Sequence, residues 1–181
     1  HWVNDLPGAL IQIRRALAPD GLFLASLPGL GTLHALRGAL AEAETALRGG
    51  VSPRISPFPD LRDAAGLLQR AGFALPVADA EEVPIAYRTP FALFTDLRAA
   101  GEANAVLARD GRTPPRDLFP MAVASLPSGP EGISPDLRLL LLTGWAPHEG
   151  QQRPARPGSA THRLADALGT VERKAGERPM G

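Results

Sequence analysis

The chain has 181 residues, 44% of them apolar and 21% charged, with 19 basic residues balanced by 19 acidic ones. These are the proportions of one globular domain of ordinary size, and zero net charge gives no electrostatic ground for binding nucleic acid or an anionic membrane. There is no cysteine, which excludes disulfides, thiolate zinc sites and a cysteine nucleophile. No apolar run approaches the roughly 20 residues of a membrane span.

Positive charge is carried almost wholly by arginine, with Lys174 the sole lysine, a bias expected of a GC-rich genome. The first residues, His1 to Asp5, read as a strand end running into a helix. Asn4 or Asp5 can cap it and Pro7 suits its first turn. Leu6, Leu10, Ile13 and Leu17 then mark one helical face. Pro19-Asp20-Gly21 is a turn, and Leu22–Leu27 is a short apolar run predicted as a strand buried on both faces. After the Pro28–Gly31 loop, Thr32 is the expected cap of a second helix carrying Leu33, Leu36, Leu40, Ala43 and Leu47. Gly49-Gly50 ends it.

Residues 51–59 are irregular and proline-rich. Asp60 can cap a third helix, with Asp63 in its first turn complementing the helix dipole and Gly72 closing it. Residues 75–87 read as strand, interrupted near Asp79–Glu82 and resumed at Val83, Ile85 and Tyr87. Phe91, Phe94 and Leu97 form a fourth helical face ended by Gly101. Residues 102–136 are loop-like, with a weak helix near Phe119–Ala124. The Leu137–Thr143 run is the strongest strand signal, and beyond Trp145 the chain turns polar, with one short helix at Leu164–Leu168.

Alternating helices and strands argue for an α/β fold with a mainly parallel sheet. Three strands are few for four amphipathic helices, which points to an absent N-terminal part.

Specific motifs sharpen this. His1-Trp2-Val3-Asn4-Asp5-Leu6 with Leu17-Ala18-Pro19-Asp20-Gly21-Leu22-Phe23 resembles the stretch after strand four of class I S-adenosylmethionine-dependent methyltransferases. Asp60–Phe73 resembles the helix and Gly-Phe before strand six. Phe91–Gly101 resembles the helix that follows in the biotin-synthesis-like branch. Leu142–Glu149, Gln151-Gln152 and Pro157–Ala160 are similar to a subgroup of bacterial methyltransferase-like proteins related to mitochondrial complex I assembly factor 5. The resemblance spans residues 1–170.

The resemblance implies a partial Rossmann-like methyltransferase sheet, from the end of strand four to strand seven, with flanking helices. The N-terminal cofactor half is missing and the last strand runs antiparallel to its neighbours. Residues 1–147 would be the C-terminal half of that domain and residues 148–181 a polar Pro/Gly/Arg-rich tail. S-adenosylmethionine is the implied cofactor of an intact parent, with none expected for this chain alone. The family's glycine-rich loop and ribose-binding acid have no counterpart here. Gly29-Leu30-Gly31 does follow a strand, but His34 stands where a third glycine would, and no acid follows in Gly50–Arg54.

Trp2 is the candidate cofactor contact of an intact parent. His1 and His34 are candidates for the substrate pocket, because open α/β sheets bind ligands at the carboxyl ends of their strands. No catalytic residue is assigned and no metal site is expected. Trp145, His148 and Glu149 read as the start of the tail rather than as ligands, and the basic residues from Arg153 to Arg178 read as its scattered surface charge. The expected partners are the missing N-terminal half and a protein substrate, with no nucleic acid and no membrane span. The implied activity is that of an S-adenosylmethionine-dependent methyltransferase-like protein, inactive as this piece. The alternatives are a non-catalytic assembly or binding factor and an arginine-hydroxylase-like protein of respiratory complex I assembly. The compartment would be the bacterial cytoplasm or the mitochondrial matrix.

Overall fold

The computed structural model describes residues 1–152, 156 and 158–171. By internal contacts the chain divides into two compact units, His1–His148 and Glu149–Gly181. The first carries helices α1 (Leu6–Ala16), α2 (His34–Arg48), α3 (Leu61–Ala71), α4 (Pro90–Ala99) and α5 (Leu118–Ser125), with strands β1 (Leu22–Pro28), β2 (Ala74–Glu82) and β3 (Arg138–Trp145). The described part of the second holds one short helix, α6 (Leu164–Leu168), ended by Gly169 at φ +62°. Of the basic tail residues, Arg153, Arg173, Lys174 and Arg178 lie outside the described residues.

Local sequence explains most of the element ends. The Asp5 carboxylate accepts the Gly8 N–H at 2.9 Å, and Pro7 occupies the first turn of α1, where its missing donor costs nothing. Asp60 caps α3 by accepting from Asp63 N–H at 2.6 Å, and Gly72 closes that helix in the left-handed region. The start of α2 departs from expectation. Its cap position is Leu33, itself left-handed at φ 55°, and Thr32 does not cap it. The Thr32 hydroxyl instead donates to the Arg138 carbonyl at 3.0 Å and accepts from the Arg138 N–H at 3.1 Å. The α2 terminus is served from a distant segment, where the Asp136 carboxylate accepts from Ala35 N–H at 3.4 Å.

The sheet is three-stranded in the order β1-β3-β2, and β3 is antiparallel to both neighbours. The antiparallel pairing of the 22–27 and 137–143 runs is thus as expected. The mainly parallel sheet is not: β1 and β2 share a direction, but β3 lies between them. Strand β2 also runs unbroken through Asp79–Glu82 and stops where resumption was expected. Within residues 83–87 Tyr87 forms an isolated bridge, to Ile133. Acidic residues are tolerated in β2 because it is an edge strand with one face in solvent.

That open face is the main correction to the sequence reading. Phe23, Leu27, Leu140 and Leu142 are buried against α1 and α3, where the Phe23 and Phe73 rings stack at 4.9 Å. The alternate residues face outward. Leu24 is 69% exposed and Val77 59%, and both pair in register with Thr143. Strand β1 is therefore buried on one face only. The surplus of helices also has an internal explanation, since α2, α4 and α5 form a second core of their own around Leu36, Leu40, Leu93, Leu118 and Ile133. In α4 the deepest residue is Leu93, and Phe91, expected on the buried face, points to solvent. The second core is tied down by the Arg37 guanidinium, which donates to the Ile55 and Ser56 carbonyls at 2.8 Å each. Arg48 pairs with Asp110 at 2.6 Å.

Gly132 is held by backbone geometry. Gly132 has φ +101°, and a Cβ there would collide with the Tyr87 carbonyl oxygen and approach Arg88 Cα to 2.8 Å. Gly132→Ala should lower stability by about 1–3 kcal/mol through strain and clash. It should also disturb Tyr87, the single tyrosine of the chain. Urea unfolding followed by tyrosine-selective near-ultraviolet dichroism checks both effects, and an unchanged midpoint would contradict them.

Candidate functional site

Two cavities open where β1 and β2 end at their carboxyl termini, the end at which open α/β sheets place ligands. The larger has a volume of about 590 Å³ and includes Gly31, His34, Glu82, Asp136 and Arg138 in its walls. The smaller, about 220 Å³, lies against Pro28, Leu33, Phe58, Tyr87, Leu93 and Leu97, with carboxylates from Asp96, Glu102 and Asp136. Pro135, Asp136 and Leu137 contribute to both cavities.

This dividing wall is held by backbone chemistry rather than by packing alone. The Asp136 carbonyl accepts from Leu33 N–H at 2.7 Å, the Arg138 carbonyl accepts from Gly29 N–H at 2.8 Å, and the Leu137 carbonyl accepts from Val83 N–H at 2.8 Å. The loops after β1 and β2 are thereby fixed to the chain entering β3. Tyr87 is held on the far side by reciprocal backbone bonds with Ile133 of 2.8 and 2.9 Å. Burial pushes the Tyr87 phenol above its ordinary pKa, and the Asp96 carboxylate adds to this by hydrogen bonding and by charge.

The candidate residues from sequence are placed as follows. His34 is exposed on the larger cavity. His1 stands beside the smaller one. Its Nε2 lies 3.0 and 3.2 Å from the two Glu102 carboxylate oxygens, and its ring centroid is 6.1 Å from that of Phe58. Trp2 is 49% exposed and meets the His1 ring edge-on at 5.8 Å. His34 thus lines the larger cavity, whereas His1 meets the smaller one only through its wall residues Glu102 and Phe58. Among the described residues, no group of three or more His, Asp or Glu side chains could hold a metal. Likewise no helix among them is long and apolar enough to cross a membrane.

The sequence alone gave no reason to select Tyr87, Asp96, Glu102 or Asp136. Glu102 reaches His1 across 101 positions, and Asp136 lies in a segment read as loop. No local spacing announces either. The one signal present was Gly101, whose positive φ of 78° turns the chain out of α4 just before Glu102.

S-adenosylmethionine would be sought at a glycine-rich turn between a strand and a helix. The Gly29-x-Gly31 loop is the one glycine-rich strand-to-helix turn. At Gly29 the space a Cβ would take lies 2.8 Å from the buried Leu140 side chain. A side chain there would crowd the core at Leu140. The stretch Gly49–Arg54 that follows α2 contains no acid.

No protein-family model matches the chain. Individual relatives do. The arginine-hydroxylase NDUFAF5 of Dictyostelium discoideum is 41% identical over 175 residues, 94% of this chain and 40% of that protein. The human NDUFAF5 is 40% identical over 171 residues, 89% of this chain and 48% of that protein. The malonyl-[acyl-carrier protein] O-methyltransferase of Halorhodospira halophila is 38% identical over 105 residues, covering 58% and 34% of the two chains. Among solved structures, YcgJ of Bacillus subtilis superposes with a TM-score of 0.47 at 14% identity over 82% of this chain and 60% of that one, too loose a likeness to build on. The chain is similar to the NDUFAF5 proteins of the methyltransferase-like branch, and it spans about half the length of the curated relatives it matches.

Proposed function

We propose that this chain is the acceptor-side part of a methyltransferase-like domain, and that its smaller cavity receives the cationic side chain of a protein arginine. The observation that carries this is the composition of the cavity wall: three carboxylates, from Asp96, Glu102 and Asp136, with no Arg or Lys among its lining residues. Leu33, Leu93 and Leu97 offer apolar surface for the aliphatic stem, and the carboxylates offer planar acceptors for a guanidinium. The NDUFAF5 relatives are named arginine-hydroxylases, and the same pocket chemistry suits an arginine whichever group is transferred to it.

On this reading the cofactor is held by sequence outside these 181 residues, and the chain alone is inactive. The uncovered sheet face and the outer edge of β1 are the surfaces against which the cofactor-holding part would pack. The compartment is the bacterial cytoplasm or the mitochondrial matrix, in line with the relatives named mitochondrial. A second reading has one observation in its favour. The larger cavity carries Arg138 and His34 beside Glu82 and Asp136, and the Arg138 guanidinium could pair with an anionic acceptor such as the malonyl group named for the Halorhodospira relative.

Isothermal titration with a capped arginine peptide and its citrulline counterpart separates these readings. The arginine peptide should bind at least about tenfold more tightly, a difference of about 1.4 kcal/mol. Equal affinities, or a preference for a malonyl thioester over both peptides, would overturn the proposal.

A further inference from the structure

The contact between His1 and Glu102 is not a generic surface ion pair. It joins the segment entering α1 to the turn leaving α4, with side chains only 19% and 34% exposed. It sits against Phe58, which together with Glu102 lines the smaller cavity. Both Glu102 oxygens face a single imidazole nitrogen, Nε2, at 3.0 and 3.2 Å. A carboxylate can only accept a hydrogen bond, so Nε2 must carry the proton. The partner of one ring nitrogen decides what the other can do. With Nε2–H committed to Glu102, the neutral imidazole presents the lone pair of Nδ1.

We infer that Glu102 is a positioning residue that holds His1 in the Nε2–H tautomer beside the smaller cavity, so that Nδ1 accepts an N–H from the bound cationic side chain. This rests on the reading of that cavity as the acceptor site. It assigns to Glu102 a role beyond contributing charge. Asp96 and Asp136 meet the cation directly, while Glu102 acts partly through the histidine. A guanidinium offers five N–H donors in a fixed fork, and an imidazole acceptor beside two carboxylates restricts the orientation in which that fork is held.

The test uses the 181-residue chain with histidine ring nitrogens labelled with ¹⁵N. Long-range ¹H–¹⁵N spectra are recorded at about pH 9, above the ordinary histidine range. His1 is expected as a single Nε2–H tautomer. In Glu102→Leu its ring shifts should become the average of two exchanging tautomers. In Glu102→Gln, whose amide oxygen can still accept, the single tautomer should return. Titration of N-acetylarginine amide should then move the Nδ1 resonance in the wild type and in Glu102→Gln but not in Glu102→Leu. His1→Ala should bind this probe at least about fivefold more weakly. A His1 ring that averages both tautomers in the wild type overturns the inference, even if the probe binds. A fixed tautomer with no probe binding overturns the reading of the cavity instead. A Glu102→Leu protein that keeps the single tautomer shows that something other than Glu102 sets it, and that result also sinks the assignment.

Discussion

S-Adenosylmethionine titrated into the 181-residue chain should bind no more tightly than about 1 mM, a free energy of about −4 kcal/mol. The expectation comes from what the chain's loops are built to do. A cofactor of this kind needs a backbone stripped of side chains where it approaches and a carboxylate for its ribose hydroxyls. In the candidate turn after β1, Gly29 packs against Leu140. The residues that follow α2 are Gly49 to Arg54, without an acid. Each buried hydrogen bond that goes unmade costs about 1–3 kcal/mol, so two or three of them remove roughly one and a half to six orders of magnitude in affinity. Adding the cofactor-holding part of the domain, as a separate chain or fused ahead of His1, should restore micromolar binding. Calorimetry on the chain alone and on the mixture decides the matter. A one-to-one dissociation constant in the low micromolar range for the isolated chain would show a complete site.

The second large effect lies away from the cavities. Glu44 on α2 is 2% exposed. It accepts from Arg54 Nη2 at 2.5 Å and from Ser52 N–H at 2.9 Å. Burial alone would raise its pKa, but the hydrogen bonds from Arg54 and Ser52, with the Arg54 charge, outweigh burial and hold it below the ordinary value. The Arg54 side chain is 13% exposed, and its Nε is buried without a partner. Glu44→Leu would strand that guanidinium and should lower unfolding stability by about 3–5 kcal/mol. The double variant Glu44→Leu/Arg54→Leu should recover most of the loss, because an apolar pair needs no charge compensation. Urea denaturation of the three variants checks this, and a double variant as unstable as the single would refute the buried-charge account. The pH dependence follows from the direction of the shift. A carboxyl whose folded pKa is depressed contributes fully above its unfolded value, near 4.3. That contribution is lost as pH falls through the lower folded value. The wild type should therefore lose more stability between about pH 5 and pH 3 than Glu44→Leu does.

The parts of this fold that were legible in the sequence are those fixed within a few residues. Asp5, Asp60, Gly72 and Gly101 mark helix ends because capping depends on one side chain or one positive φ close to the end itself. The pairing of β1 with β3 was legible from two apolar runs and a family motif. The rest depended on distant partners. Thr32 looked like a cap by spacing, yet its hydroxyl is taken by the backbone of Arg138, 106 positions away. Acidic residues at 79–82 looked like a strand break because their tolerance depends on facing solvent, which is a property of the sheet and not of the run. Within the site, His1 and His34 stood out as histidines near strand ends. The carboxylates that give the smaller cavity its character sit on exposed helix and loop positions, where an acid is usually unremarkable.

The two edges of the sheet have opposite consequences for assembly. Strand β2 carries Asp79, Glu81 and Glu82 along its length, so a second copy aligned there meets like charge. Strand β1, Leu-Phe-Leu-Ala-Ser-Leu-Pro, carries none, and its free edge continues into the exposed Leu22 and Leu24. Growth from one side only cannot propagate. Where the cofactor-holding part does not cover that edge, two copies joined edge to edge through β1 would leave an acidic strand at each outer end, and the ladder would stop at six strands. That arrangement is a self-limiting dimer rather than a fibre, a built-in ceiling on how far an uncovered sheet can extend.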